Sequence, residues 1–126
     1  MKPGIVIWAY IGLCAIFMNN MPGVAAYFFH VHENFPTLSF GIGIGTIAAI
    51  FGMVEKTAWA RMAAFGVVVV EVLSQLGMGI YLQRMMQDEV GNGILISSLA
   101  YSAVFSVLAY KLYSSEELDT YLSRQE

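Results

Sequence analysis

An all-α membrane protein, with four transmembrane helices in an up-and-down bundle, is predicted by three observations. Hydrophobic residues make up 58% of the chain and charged residues only 12%, about half the charged share of a soluble domain. The apolar residues fall into four runs separated by short polar links, and a crossing needs roughly 20 residues to cover about 30 Å of hydrocarbon. Nothing in the 126 residues alternates with the period of a barrel strand. Helices, which pair their own backbone groups, are then the spanning structure that remains.

The first run, Ile5 to Met18, is short for a crossing, so the helix is expected to continue to Phe29 through a kink near Pro22 and Gly23 in "NNMPG". A cleaved secretory signal over residues 1–26 is the competing reading. Lys2 would supply its basic start and "GVAA" its small residues before a cut after Ala26, but the chain resumes with apolar "YFF". Spans two, three and four are expected over about 37–54, 58–83 and 94–113. The link "VEKTA" is so short that spans two and three must form a hairpin, and "MMQDEVGNG" makes a looser turn between three and four. One transmembrane domain over 1–113 and a polar tail over 114–126 account for the chain. In that tail a capping box from Ser114 to Glu117 precedes Leu118, Tyr121 and Leu122 at helical spacing, so a short helix on the membrane surface or on a partner is expected.

Basic residues set the orientation. Lys2, Lys56, Arg61, Lys111 and Arg124 stand on the side shared by the N-terminus, the second loop and the tail, against Arg84 opposite. Both termini are therefore expected in the cytoplasm, with the protein integral to the cell membrane. Trp8, Trp59, Tyr81 and Tyr113 fall near span ends, where amphipathic rings anchor. A net charge of −3, scattered along the chain, suits no nucleic-acid partner. The single cysteine, Cys14, cannot form an internal disulfide.

Spans in lipid associate through small residues and through polar groups that bond across the interface. Gly41, Gly45, Ala48, Ala49 and Gly52 supply a small-residue stripe on the second span, and Ser98, Ser102, Ser106 and Ala109 another on the fourth. These stripes point to packing against copies of the chain or against another membrane subunit. Asn19, Asn20, Pro22 and Gly23 suit either a proline kink or an unwound turn that offers backbone groups to a ligand. His30 and His32, with Glu33 beside them, are weak candidates for a metal, and no cofactor is expected.

Glu71 differs in kind. It lies 13 residues after Ala58 and 12 before Gln83, near the bilayer midplane, where an acid costs roughly 2.5–3.5 kcal/mol on insertion scales. Ser74 and Gln75 follow on the same face, and Tyr101 and Ser102 of the fourth span and Thr46 of the second fall at matching depth. A neutral acid donating a hydrogen bond within that group is the expected state. The layout, four short helices in little over 100 residues with one buried glutamate, is similar to that of small multidrug resistance transporters. Their glutamate belongs to the first helix, whereas Glu71 is in the third, so no residue roles carry over.

Two functions follow as expectations. One is a non-enzymatic accessory or oligomerising membrane subunit. The other is a small oligomeric transporter or channel in which Glu71 handles a proton or cation. No nucleophile paired with a base and no phosphate loop point to an enzyme.

Overall fold

The computed structural model describes residues 4–29, 37–86 and 89–123. It is all-helical among these residues, with α1 over Gly4–Phe28, α2 over Thr37–Val54, α3 over Ala60–Met86, α4 over Glu89–Ser114 and α5 over Glu116–Ser123. Helices α1 to α4 are each long and apolar enough to cross a membrane. Their outer surface is as apolar as their core: Trp8, Met18, Phe51, Leu73, Ile96 and Val104 are all exposed, which suits lipid and not water.

Helix α1 runs unbroken through Pro22, so Asn19, Asn20, Pro22 and Gly23 form part of a continuous helix and not an unwound turn. Helix α4 begins at Glu89, five residues before the start expected from hydropathy. The acidic Glu89 in its first turn complements the helix dipole. Gly91 is required by close approach: a Cβ there would stand 3.1 Å from Cβ of Met86 and 3.3 Å from Cα and the carbonyl oxygen of Gln83. At the same end the Gln83 amide makes a long contact of 3.4 Å to Asn92. At the other end, Arg61 near the start of α3 donates to the carbonyl of Tyr113 in the last turn of α4 at 2.6 Å, a favourable place for a cation.

The turn from α2 to α3 is closed by a paired C-terminal cap. The Thr57 amide returns to the Gly52 carbonyl at 2.9 Å and the Lys56 amide to the Met53 carbonyl at 3.2 Å, with Lys56 at φ 55°. This is the geometry of a Schellman motif, with lysine where glycine is usual. The Lys56 ammonium lies 4.7 Å from the centre of the Tyr121 ring. Two effects oppose each other at this position: a left-handed non-glycine residue costs roughly 1–2 kcal/mol, and the cation–π contact returns about 0.5–1 kcal/mol. Lys56→Gly is expected to change stability by under about 1 kcal/mol, because it relieves the first and removes the second. Lys56→Val removes the contact and keeps the backbone cost, and should lower the unfolding midpoint in detergent clearly; equal midpoints for the two variants would count against this account.

The apolar core lies at the end of the bundle that α5 covers. Val6, Leu13 and Ile16 of α1, Ala49 and Met53 of α2, Ala60, Ala64 and Val68 of α3, and Phe105 and Leu112 of α4 close on Leu118, Tyr121 and Leu122 of α5. The tail helix thus packs on its own bundle, against α1 and α3. Its cap is Ser115, whose hydroxyl accepts the Leu118 amide at 3.1 Å. Ser114, the residue expected to cap it, instead donates to the Tyr110 carbonyl at 2.8 Å and ends α4. Packing between helices is most extensive for α3 with α4, then α1 with α2 and α2 with α3, and sparse for α1 with α4.

Candidate functional site

The apolar core ends at a polar knot around Glu71. This side chain is fully buried, and its two oxygens accept four hydrogen bonds from three helices. Oε1 receives the Asn19 amide at 2.9 Å, the Tyr101 hydroxyl at 3.0 Å and the Gln75 amide at 3.3 Å. Oε2 receives the Asn20 amide at 2.8 Å. A carboxylate is an acceptor with about four lone-pair sites, and four donors fill that capacity.

Local structure fixes each donor. Asn19 and Asn20 are adjacent on α1, and Asn20 is anchored by a second N–H bond to the Ile16 carbonyl one turn back, at 2.8 Å. Gln75 follows Glu71 by one turn of α3, the spacing that places two side chains on one face. Tyr101 projects from α4 with its ring 4.5 Å from that of Phe105, tilted by 34°, so packing holds the ring that delivers the hydroxyl. Interhelical bonds inside a membrane average about 0.6 kcal/mol and reach about 1.7 kcal/mol. Three such bonds converge on one side chain here, from Asn19, Asn20 and Tyr101, with Gln75 of the same helix as a fourth donor.

The other residues expected near Glu71 are not among the groups that bond its carboxyl. Thr46 is buried, and its hydroxyl donates to the Gly43 carbonyl of its own helix at 2.7 Å. Ser74 is half-buried and is not among the groups that bond the carboxyl. Ser102 is buried, and its hydroxyl oxygen has no hydrogen-bond partner among the described residues. Asn19 and Asn20, read from the sequence as part of a kink, are the partners that sequence reasoning did not connect to Glu71.

The small residues divide between two faces. On α2, Ala49 and Gly52 point inward with Gly43, Gly45 is half-buried, and Gly41 and Ala48 are exposed. On α4, Ser98, Ser102 and Ala109 point inward and Ser106 is exposed. Gln75 and Tyr101 present a second side to a shallow groove of about 520 Å³ between α3 and α4, lined also by Ile94, Ser97 and Ser98. These two side chains therefore stand between the carboxyl group and a surface opening. Among the described residues no three histidine, cysteine, aspartate or glutamate side chains are placed to hold a metal. His30 and His32 lie outside the described residues.

No protein family, no curated protein and no solved structure matches this chain.

Proposed function

We propose that this is a non-enzymatic accessory subunit of the membrane, which assembles with a second copy or with another membrane protein through helix packing. One observation carries the reading: the small-residue stripe of α2 is used only in part by its own bundle. Ala49 and Gly52 are spent inside, while Gly41 and Ala48 face outward, and a Cβ at Gly41 would meet nothing within 4 Å. Without a hydrophobic drive between helices in lipid, such small outward residues are where another helix approaches most closely. Glu71 then serves as glue that fixes α1 to the α3–α4 pair.

The spans run up and down, with both termini in the cytoplasm and α1 bent near Pro22. The contacts of Arg61 with Tyr113 and of Gln83 with Asn92 support opposite directions for α3 and α4. Lys56 over Tyr121 supports a common side for the second loop and the tail.

Native mass measurement after extraction in mild detergent tests the reading. A homo-oligomer or a foreign subunit is expected, and the paired change Gly41→Leu with Ala48→Leu should dissociate it about tenfold or more while leaving the unfolding midpoint of the monomer unchanged. Gly45→Leu is the contrasting variant, since a Cβ there would stand 2.9 Å from Cγ2 of Val67 and should loosen α2 from α3 within one chain. A monomer in every mild detergent would overturn the accessory reading.

A second reading is favoured by the groove beside Gln75 and Tyr101: a small proton- or cation-coupled transporter in which movement of these two side chains opens Glu71. Glu71→Gln should assemble normally under the accessory reading and lose coupled movement under the transport reading.

A further inference from the structure

We propose that the cleft between α1 and α4 holds one phospholipid with a primary-amine headgroup, of the ethanolamine type, and selects it over choline and anionic lipids. The cleft belongs to α1, α4 and the start of α5, so the site stands or falls apart from assembly through the outer face of α2.

Helices α1 and α4 pack sparsely against each other, and a cleft of about 930 Å³ lies between them. That volume is within the range of small-molecule sites, about 300–1,000 Å³. Its lining is mostly apolar: Gly12 and Phe105 are buried at its base, and Trp8, Ile11, Val104 and Val107 are exposed along it. A Cβ at Gly12 would collide with Leu108, so glycine lets α4 come near enough to close that base.

Length separates a lipid tail from a partner helix. On α1 the lining runs from Gly4 to Ala15, 11 residues farther along, which at about 1.5 Å each is about 16 Å. This is about half of the roughly 30 Å hydrocarbon layer, or one leaflet. Beyond Ala15, Asn19 of α1 and Tyr101 of α4 bond the same oxygen of Glu71 and tie the two helices to one point. A crossing helix needs a face along the whole span, whereas an acyl chain needs one leaflet.

Charge at the mouth selects the headgroup. There the lining turns polar, with Lys111 in the last turn of α4, Ser115 at the junction, and Glu116 and Glu117 in the first turn of α5. No ion pair joins Lys111 to either glutamate among the described residues, so both signs of charge are offered outward. A lipid phosphate accepts from the Lys111 ammonium and from Ser115, whose hydroxyl accepts the Leu118 amide and keeps its own hydrogen to donate. A primary ammonium donates N–H bonds to the two carboxylates. A choline group has no N–H to donate, and an anionic headgroup meets two carboxylates of its own sign.

The test uses the whole protein, stripped of lipid in mild detergent and titrated with dioleoyl phosphatidylethanolamine, phosphatidylcholine or phosphatidylglycerol while native mass measurement counts the lipid retained. One ethanolamine lipid per chain is expected, held about tenfold more tightly than either competitor, as one added charge-assisted hydrogen bond would give. Lys111→Gln should weaken retention of all three lipids. Glu116→Gln with Glu117→Gln should erase the preference for ethanolamine and leave choline-lipid binding unchanged. Ala15→Phe should fill the cleft and lower retention of every lipid, and Ser106→Ala, outside the cleft, should alter none. All five positions are exposed, so each variant should keep the unfolding midpoint of the lipid-free protein. A benzophenone side chain introduced at Val104 should label lipid in native membranes. Equal retention of the three lipids overturns the site, as does no retention or a preference for the choline or glycerol headgroup. Benzophenone labelling of a second copy or of another protein instead of lipid would give the cleft to a helix and overturn it equally.

Discussion

Glu71→Leu is expected to detach α1 from the rest of the bundle while leaving membrane insertion intact or improved. The change leaves three amide groups and a phenol hydroxyl, from Asn19, Asn20, Gln75 and Tyr101, without their acceptor. At the value of interhelical bonds in a membrane, the three that cross between helices are worth about 2–5 kcal/mol. Removing an acid from the midplane favours insertion by roughly 2.5–3.5 kcal/mol, but that gain applies to entry into the bilayer. It does not hold helices together once they are there. Unfolding in mixed micelles should show a large fall in midpoint, and a disulfide cross-link engineered between α1 and α3 should form less readily. Glu71→Gln keeps one acceptor oxygen and should fall between the two. An unchanged midpoint in the leucine variant would mean that the four bonds are replaced as easily as they are lost.

Gly79→Leu should have the next largest effect, because it strikes the most extensive helix pairing at a point where the neighbour cannot give way. Gly79 is buried, and a Cβ built on it would stand 2.5 Å from Oγ and 2.6 Å from Cβ of Ser98. Serine is too short to swing away, so α4 itself must move. Overpacking of this kind costs about 1–3 kcal/mol. A further loss follows, since Tyr101 lies about one turn beyond Ser98 and a widened seam draws its hydroxyl away from Glu71. Gly79→Ala should be milder, and Ser98→Gly should rescue it by removing both contacting atoms. That rescue, measured as a double-mutant cycle of unfolding midpoints, separates a steric clash from a general weakening of the helix; purely additive effects would refute the clash.

Much of this architecture is legible in the residues. The second span matches α2 from Thr37 to Val54, because sharp polar boundaries flank it. The start of α4 is not, since "VGNG" reads as turn chemistry; Gly91 is there for close approach to α3 and the helix simply continues through it. The burial of Glu71 follows from the cost of an acid in lipid. Gln75 follows from one helical turn, and Tyr101 from the depth match of two helices joined by a short link. Asn19 and Asn20 escape such counting. Asn20 lies 16 residues beyond the start of α1 and Glu71 lies 11 beyond the start of α3. If both helices start on one side, equal depth needs an offset of about 7 Å, set by tilt and packing between spans that are not neighbours in sequence. The facing of α2 escapes for another reason. Its outer residues are as apolar as its inner ones, so no polar side marks which of Gly41, Gly43, Ala48 and Ala49 turns to lipid.

The uneven reach of the four bonds to Glu71 implies an order of assembly. Gln75 and Tyr101 lie 4 and 30 residues from it, and Asn19 and Asn20 lie 52 and 51 away. Contacts that close short loops form before those that close long ones. The α3–α4 hairpin can therefore enter the bilayer as a unit that already satisfies part of its own acid, with the remaining acceptor capacity held open for α1. Docking of α1 then completes the acceptor set, and the unmet capacity sets the register in which α1 docks on the hairpin.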